Sequence, residues 1–172
     1  MRQKLVWLTL FSSAVVMAAF YHTGKLWATA SNGYTSTTLY KGTFDPIDVL
    51  NHFPAASNPG QVWVSTQKTN AQSDVYVQQN VWQPGGSTGW HSHPGHSLIM
   101  VTEGTVTEYE GDDPQCTPHV YAKGMTLVDP GGDHVHIIRN EGDVEAQTIA
   151  VQTIPNGAPR RIDEPDPGNC HF

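Results

Sequence analysis

After residue 60, apolar residues recur at alternate positions in short runs, and Gly, Pro, Asn and Asp separate the runs. That is the period of an extended strand with one face turned in and the other out. Val62 to Thr66 forms one run. Asp74 to Trp82 is longer and ends at Pro84-Gly85-Gly86. Ser97 to Tyr109 holds two runs, divided at Glu103-Gly104. Met125 to Val128 stops at Asp129-Pro130-Gly131-Gly132. Val135 to Arg139 is followed by the turn sequence Asn140-Glu141-Gly142-Asp143, and Ala146 to Ile154 is the last strong strand. Many short strands at even spacing predict an all-β antiparallel barrel or sandwich. One short helix is expected over Asp45 to Asn51, where Pro46 suits a first helical turn. Residues 31–38, rich in Ser, Thr, Asn and Gly, read as a loose lead-in. There is no repeat of fixed period and no sign of a second domain.

The first 30 residues follow a different pattern. Arg2 and Lys4 precede an uncharged run from Leu5 to Phe20, and Ala28-Thr29-Ala30 places small residues where a signal peptidase reads. This predicts a signal peptide over residues 1–30, cleaved after Ala30, and a secreted or periplasmic domain over residues 31–172. The apolar run is shorter than the ~20 residues of a membrane span, so no stable membrane anchor is expected after cleavage. Cleavage leaves six basic against 16 acidic residues and a net charge of −10, compared with −7 for the whole chain. Without a basic stripe, such a surface repels phosphate backbones, and nucleic acid is a poor partner. The two cysteines, Cys116 and Cys170, would meet an oxidising compartment and are expected to pair. The bridge would tether a polar, Pro-rich tail. No CxxC or Cys-His spacing points to metal ligation by either cysteine.

The chemistry is concentrated in histidines. His91-Ser92-His93 puts two imidazoles at i and i+2, on one side of an extended chain. His134-Val135-His136 repeats the arrangement after a Pro-Gly-Gly turn. Two such strands brought together would aim several ring nitrogens at one point, and neutral imidazole suits Fe, Mn, Ni, Cu or Zn. Gly85, five residues and His91-Ser92-His93, with Gly104 further on, resemble the first cupin motif. Gly124, five residues, Pro130-Gly131-Gly132, His136 and Asn140 resemble the second, with one residue added between Gly132 and His136. The resemblance spans Gly85 to Asn140, with 19 residues between the motifs. It implies a single double-stranded β-helix (jelly-roll) barrel with a divalent transition metal in its mouth. The mature chain is also similar to small exported bacterial cupin proteins. The family's glutamate ligand falls at Ser97, so the implied ligand set is His91, His93 and His136. His134 or His96 stands as an addition or alternative, because the extra residue unsettles the register. Three-histidine sites of this family are similar to those of Fe(II) dioxygenases. The resemblance therefore implies an oxidoreductase acting on a small molecule, iron being the first choice of metal. A non-catalytic small-molecule or metal-binding module is the alternative. Cupins often pair through barrel edges, which makes a homodimer plausible.

Other residues carry plainer readings. Gln78, Asn80 and Trp82 share one strand face, which lines either a pocket or the ordinary core. Trp90 and Met100 read as core. Arg139 reads as a surface ion pair, with an anion-orienting role as the alternative, and Tyr109 as a half-buried strand residue rather than a general acid. Glu110 to Pro114 lacks the alternating oxygens of a calcium loop and reads as a turn. No nucleophile elbow, P-loop or dinucleotide fingerprint is present.

Overall fold

The structure, a computed structural model, describes residues 28–54, 60 and 62–172, so the expected leader lies outside the described residues except for Ala28-Thr29-Ala30. Twelve strands follow in order: β1 (Asn32–Phe44), β2 (Asp48–Pro54), β3 (Val62–Lys68), β4 (Ser73–Ser87), β5 (His91–His93), β6 (Ser97–Glu103), β7 (Thr105–Glu110), β8 (His119–Ala122), β9 (Thr126–Asp129), β10 (Gly132–Arg139), β11 (Ala146–Pro155) and β12 (Ile162–Asp163). There is no helix among the described residues. Ten strands make one curled antiparallel sheet with two faces. β1, β4, β11, β6 and β9 form one, and β8, β7, β10, β5 and β12 the other. The two join where Arg139 of β10 pairs with Ser87 of β4. This is the jelly-roll barrel that the motif resemblance implies, and it falls within the barrel-or-sandwich class expected from the strand pattern. β2 and β3 form a separate hairpin.

Alternation explains which residues fill the barrel. On β4, Gln78, Asn80 and Trp82 are buried, and they sit opposite Ala150, Thr148 and Ala146 of β11. Trp82 joins Ile99, Val101, Val106, Leu127, Ile138, Ala146 and Ala150 in the inner apolar core. Each large side chain in it contributes roughly 1.5–3 kcal/mol by leaving water. The opposite end of the barrel interior is polar and holds the histidines. A second cluster, Trp90, Tyr109, Ile137 and Cys170, lies on the other side of β7 and β10. The Cys116–Cys170 disulfide fastens the tail there.

Four sequence expectations need correction. Residues 31–38 are no lead-in. All but Ser31 belong to β1, which pairs with β4 from Asn32↔Ser87 to Phe44↔Ser73, because β4 supplies hydrogen bonds that its Ser/Thr-rich sequence does not advertise. The region of the expected helix instead enters β2, paired with β3 from Asp48↔Lys68 to Pro54↔Val62; cross-strand pairing overrides the local Pro46 signal. β4 does not end at Pro84-Gly85-Gly86 but runs through them, with Gly85 at φ 75°. Met100 is exposed on the outer face beside Leu98 and Val128, whereas Trp90 is buried. At the other end of the chain, Ala28 bridges Pro165 and Thr29 N donates to the Glu164 carbonyl. A cut after Ala30 would remove this pairing.

Candidate metal centre

Three short pieces of chain position the histidines. Gly89, at φ 69°, turns the chain into β5, and a Cβ there would collide with the Thr29 carbonyl. β5 is extended over His91, Ser92 and His93, so the two imidazoles rise on one side with ring centroids 4.8 Å apart. β10 runs antiparallel beside it and sets His136 opposite His91, rings 4.3 Å apart. Between the pairs Gly132↔His93 and His136↔His91 the register shifts. The residue added to the second motif is thus absorbed as a bulge, and His136 keeps its place. His91, His93 and His136 each offer a ring nitrogen, all within 4.8 Å of one another.

The hydrogen bonds fix which nitrogens are free. His91 Nδ1 lies 2.9 Å from the Gly89 carbonyl, and His93 Nδ1 lies 2.6 Å from the Arg160 carbonyl. A carbonyl only accepts, so Nδ1 carries the proton in His91 and also in His93, where the Arg160 carbonyl is nearer than the Gln152 Nε2 that lies 3.0 Å from the same nitrogen; Nε2 keeps its lone pair in both. Gln152 Nε2 donates to the same Arg160 carbonyl at 3.0 Å. A backbone or carboxylate partner on the far nitrogen is the usual way a ligating imidazole is oriented. Burial, with the neighbouring His136 and Arg161 charges, holds the His91 pKa well below the usual histidine value. Burial lowers His93 likewise and pushes His136 down to about 4. The three rings are therefore neutral near pH 7, the form that binds a metal. In donor type, protonation state and convergence the residues fit a divalent transition metal.

The remaining histidines stand elsewhere. His134 stacks on His136 at 5.2 Å, its Nε2 meets the Glu110 carboxylate and its Nδ1 lies 3.4 Å from Asp129. It also lines a more open cleft of about 300 Å³ below the tail. With Asp129 and His136 it forms a second group of three donors within 4.8 Å. His96 is exposed on the outer surface with Leu98 and Thr153, and the fold does not bring it to the other rings. Ser97, at the position of the family's glutamate, donates to Asp129 Oδ2 at 3.4 Å. That buried carboxylate accepts from Gly131 N and lies 3.7 Å from His93 Nε2. Glu108, also buried, has Oε1 without a partner; burial and Glu110 push its pKa up to about 7. Tyr109 packs outside the barrel and donates to Glu141, the same carboxylate that meets Arg139 at 3.3 Å.

A cavity of about 100 Å³ opens onto the three histidines. Gln78 and Asn80 line it, and Trp82 does so as well as belonging to the apolar core. Tyr34 and Ser36 of β1 line it too, donating to Asn80 and Gln78 at 2.9 and 3.0 Å. At its rim stand Arg160 and Arg161, just before β12, which pairs with β5 through Ile162↔Ser92 and Asp163↔His91. Sequence reasoning overlooked both arginines. Their adjacency was the one available signal, but the Pro-rich stretch around them gave no hint that it folds back onto β5.

A curled jelly-roll sheet with three inward imidazoles on adjoining strands defines a small β-barrel with a metal-type site at its mouth. Residues 80–152 match the family model described as a cupin domain. Among solved structures, the chain is similar to the polyketide cyclase RemF from Streptomyces resistomycificus. The TM-score is 0.51 at 16% identity, over 81% of this chain and 79% of that one, a likeness of fold. An oxalate oxidase aligns at 23% identity and TM-score 0.48, over 89% of this chain; the chain spans 62% of that protein's length. A cupin-like protein from Thermotoga maritima aligns at 24% identity and TM-score 0.44, over 54% of this chain and 65% of that one. No curated protein sequence matches.

Proposed function

We propose that this cupin holds one divalent transition metal, iron in the first place, through His91, His93 and His136, and uses it in oxidoreductase chemistry of the dioxygenase kind on a small molecule. The observation that carries the reading is the convergence of three neutral imidazoles, two buried and one half-buried, with Nδ1 of His91 and His93 held by a backbone carbonyl. A metal bound there would polarise a ligand or exchange electrons with it. The chain's own part is placement and exclusion of water. β5 and β10 fix the rings, Trp82 and Ile99 dry one side of the cavity, and the Gln78–Asn80 face offers amide groups to orient a guest. The Cys116–Cys170 bridge is consistent with an exported protein in an oxidising compartment.

Elemental analysis of the purified protein, with metal titration of variants, tests the site. Wild type should bind one equivalent. His91→Ala, His93→Ala and His136→Ala should each lower affinity by at least about 100-fold, since even outer-shell partners are worth 10–100-fold. His134→Ala should matter far less. Affinity retained by all three alanine variants would rule out this ligand set. Oxygen uptake by the iron-loaded protein over thiols, diketones and catechols then tests catalysis. No turnover with any of them would leave a metal-binding module without oxygenase activity.

A further inference from the structure

The basic residues are few, and the structure spends them unevenly. Lys41, Lys68, Lys123, Arg139 and Arg161 each meet a carboxylate: Asp74, Asp48, Glu103, Glu141 and Asp163. Among the described residues, Arg160 is the one Lys or Arg without an acidic partner, on a chain with 16 acidic residues. It is not dangling in solvent. Its Nη1 is buried without a hydrogen-bond partner, and its Cζ lies 5.3 Å from the Tyr76 ring centroid. It lines the histidine cavity beside Arg161, and no Asp or Glu lines that cavity. A guanidinium N–H shut away from water without a partner is unfavourable unless something supplies the missing acceptor.

We infer that Arg160 is the anchor of a guest anion in this cavity, and that the guest is a small carboxylate lying between its guanidinium and the three histidines. The planar fork of a guanidinium matches a carboxylate through two parallel hydrogen bonds. Size narrows the class. A cavity of about 100 Å³ holds the volume of roughly three waters, against ~300 Å³ or more for ordinary ligand pockets. That restricts the guest to an acid of a few heavy atoms. The neutral donors and acceptors of Asn80, Gln78, Tyr34 and Ser36 are left to recognise its uncharged end. Arg161 is held back from this role, because its Nη2 donates to the Thr88 carbonyl at 2.7 Å and its Nε to Asp163. The inference rests on the metal-site reading for the position of the guest but not for the anchor. Arg160 holds His93 through its backbone carbonyl, so replacing its side chain leaves that hydrogen bond in place.

Calorimetry with cobalt-loaded and metal-free protein tests this, using acetate, propionate and malonate, the neutral analogue acetamide, and inorganic phosphate. Wild type should bind a carboxylate and not acetamide, more weakly as salt rises. Arg160→Gln should weaken carboxylate binding by about 10–100-fold, the value of a buried hydrogen bond to a charged group. Cobalt affinity and melting temperature should stay close to wild type. Arg160→Lys should recover part of the loss, and Arg139→Gln should change nothing. Equal carboxylate affinity in Arg160→Gln, acetamide binding as tightly as acetate, or binding of phosphate alone would overturn the assignment. So would the failure of every carboxylate to bind at millimolar concentration. Should wild type take no cobalt, the metal reading fails by itself, and the same comparisons on metal-free protein still decide the anchor.

Discussion

Two buried carboxylates show how differently single residues are used in this protein. Asp74 accepts from Thr43 Oγ1 at 2.7 Å, Asn156 Nδ2 at 3.0 Å and Gly157 N at 3.1 Å, and Lys41 lies 3.0 Å away. Those donors hold its pKa well below the usual carboxylate range. Asp74 ties β1, β4 and the segment after β11 together. Asp74→Ala should therefore cost about 2–3 kcal/mol in urea unfolding, because the Thr43, Asn156 and Gly157 donors lose their acceptor. A loss below about 1 kcal/mol would show the network to be ornamental. Glu108 is the opposite case: burial raises its pKa to about 7 from an ordinary 4.5. Between those values the folded protein holds a proton that the unfolded chain has lost, so stability falls as pH rises through this window. Above it the full penalty remains. At 1.36 kcal/mol per pKa unit that penalty is about 3 kcal/mol at most. Glu108→Gln should stabilise the protein at pH 8 and do little at pH 4. Equal gains at both values would point to packing instead of charge.

Among the elements, the tail is the one whose order most needs an explanation. Residues 164–172 contain one isolated bridge and no strand. Their anchors are the disulfide, Cys170 in the Trp90–Tyr109–Ile137 cluster, and Asn169 Nδ2 donating to the Glu110 and Asp113 carbonyls. A cross-link between residues 54 apart contributes about 4 kcal/mol through the unfolded chain. The Cys116→Ser/Cys170→Ser protein should lose stability of that order in denaturant melts, and an unchanged midpoint would refute the tether. The tail and strap also mark where the sequence became hard to read. β4, β6, β7, β9, β10 and β11 were legible because alternation and turn residues are local signals. β1 was not, since its Ser and Thr residues owe their strand conformation to β4. β2 was misread because one proline spoke louder than the pairing with β3. His91, His93 and His136 were legible because β5 is extended and the bulge in β10 preserves the second motif's register. Arg160 was hidden because its position depends on β12 meeting β5, a contact no local pattern encodes.

For the molecule as a whole, the three neutral histidines set the response to acid. Their folded pKa values lie below the unfolded value of 6.5, so the unfolded chain binds more protons in that window. The stability of the metal-free protein is complete above about pH 6.5 and should drain away as pH falls toward 4. Three depressed histidines outweigh the single opposing Glu108, so the net slope should be a loss on acidification. A flat melting temperature between pH 7 and 5 would contradict the burial of neutral rings. Metal should act in the other direction. At a free concentration about 100-fold above Kd it adds about 2.7 kcal/mol, worth roughly 5–10 °C in a domain of this size. The His91→Ala protein should show no such gain.

The strap that carries Arg160 and Arg161 has a consequence in time. Six strands separate β5 from β12 along the chain. A ribosome working from the N-terminus releases His91 and His93 long before it releases the residues that complete their surroundings. Until then His93 has no Arg160 carbonyl to turn its ring, and the cavity has no cation at its rim. The order of synthesis thus delays a finished pocket until β12 has followed the other strands, so the nascent barrel passes through its early life unable to seize a guest.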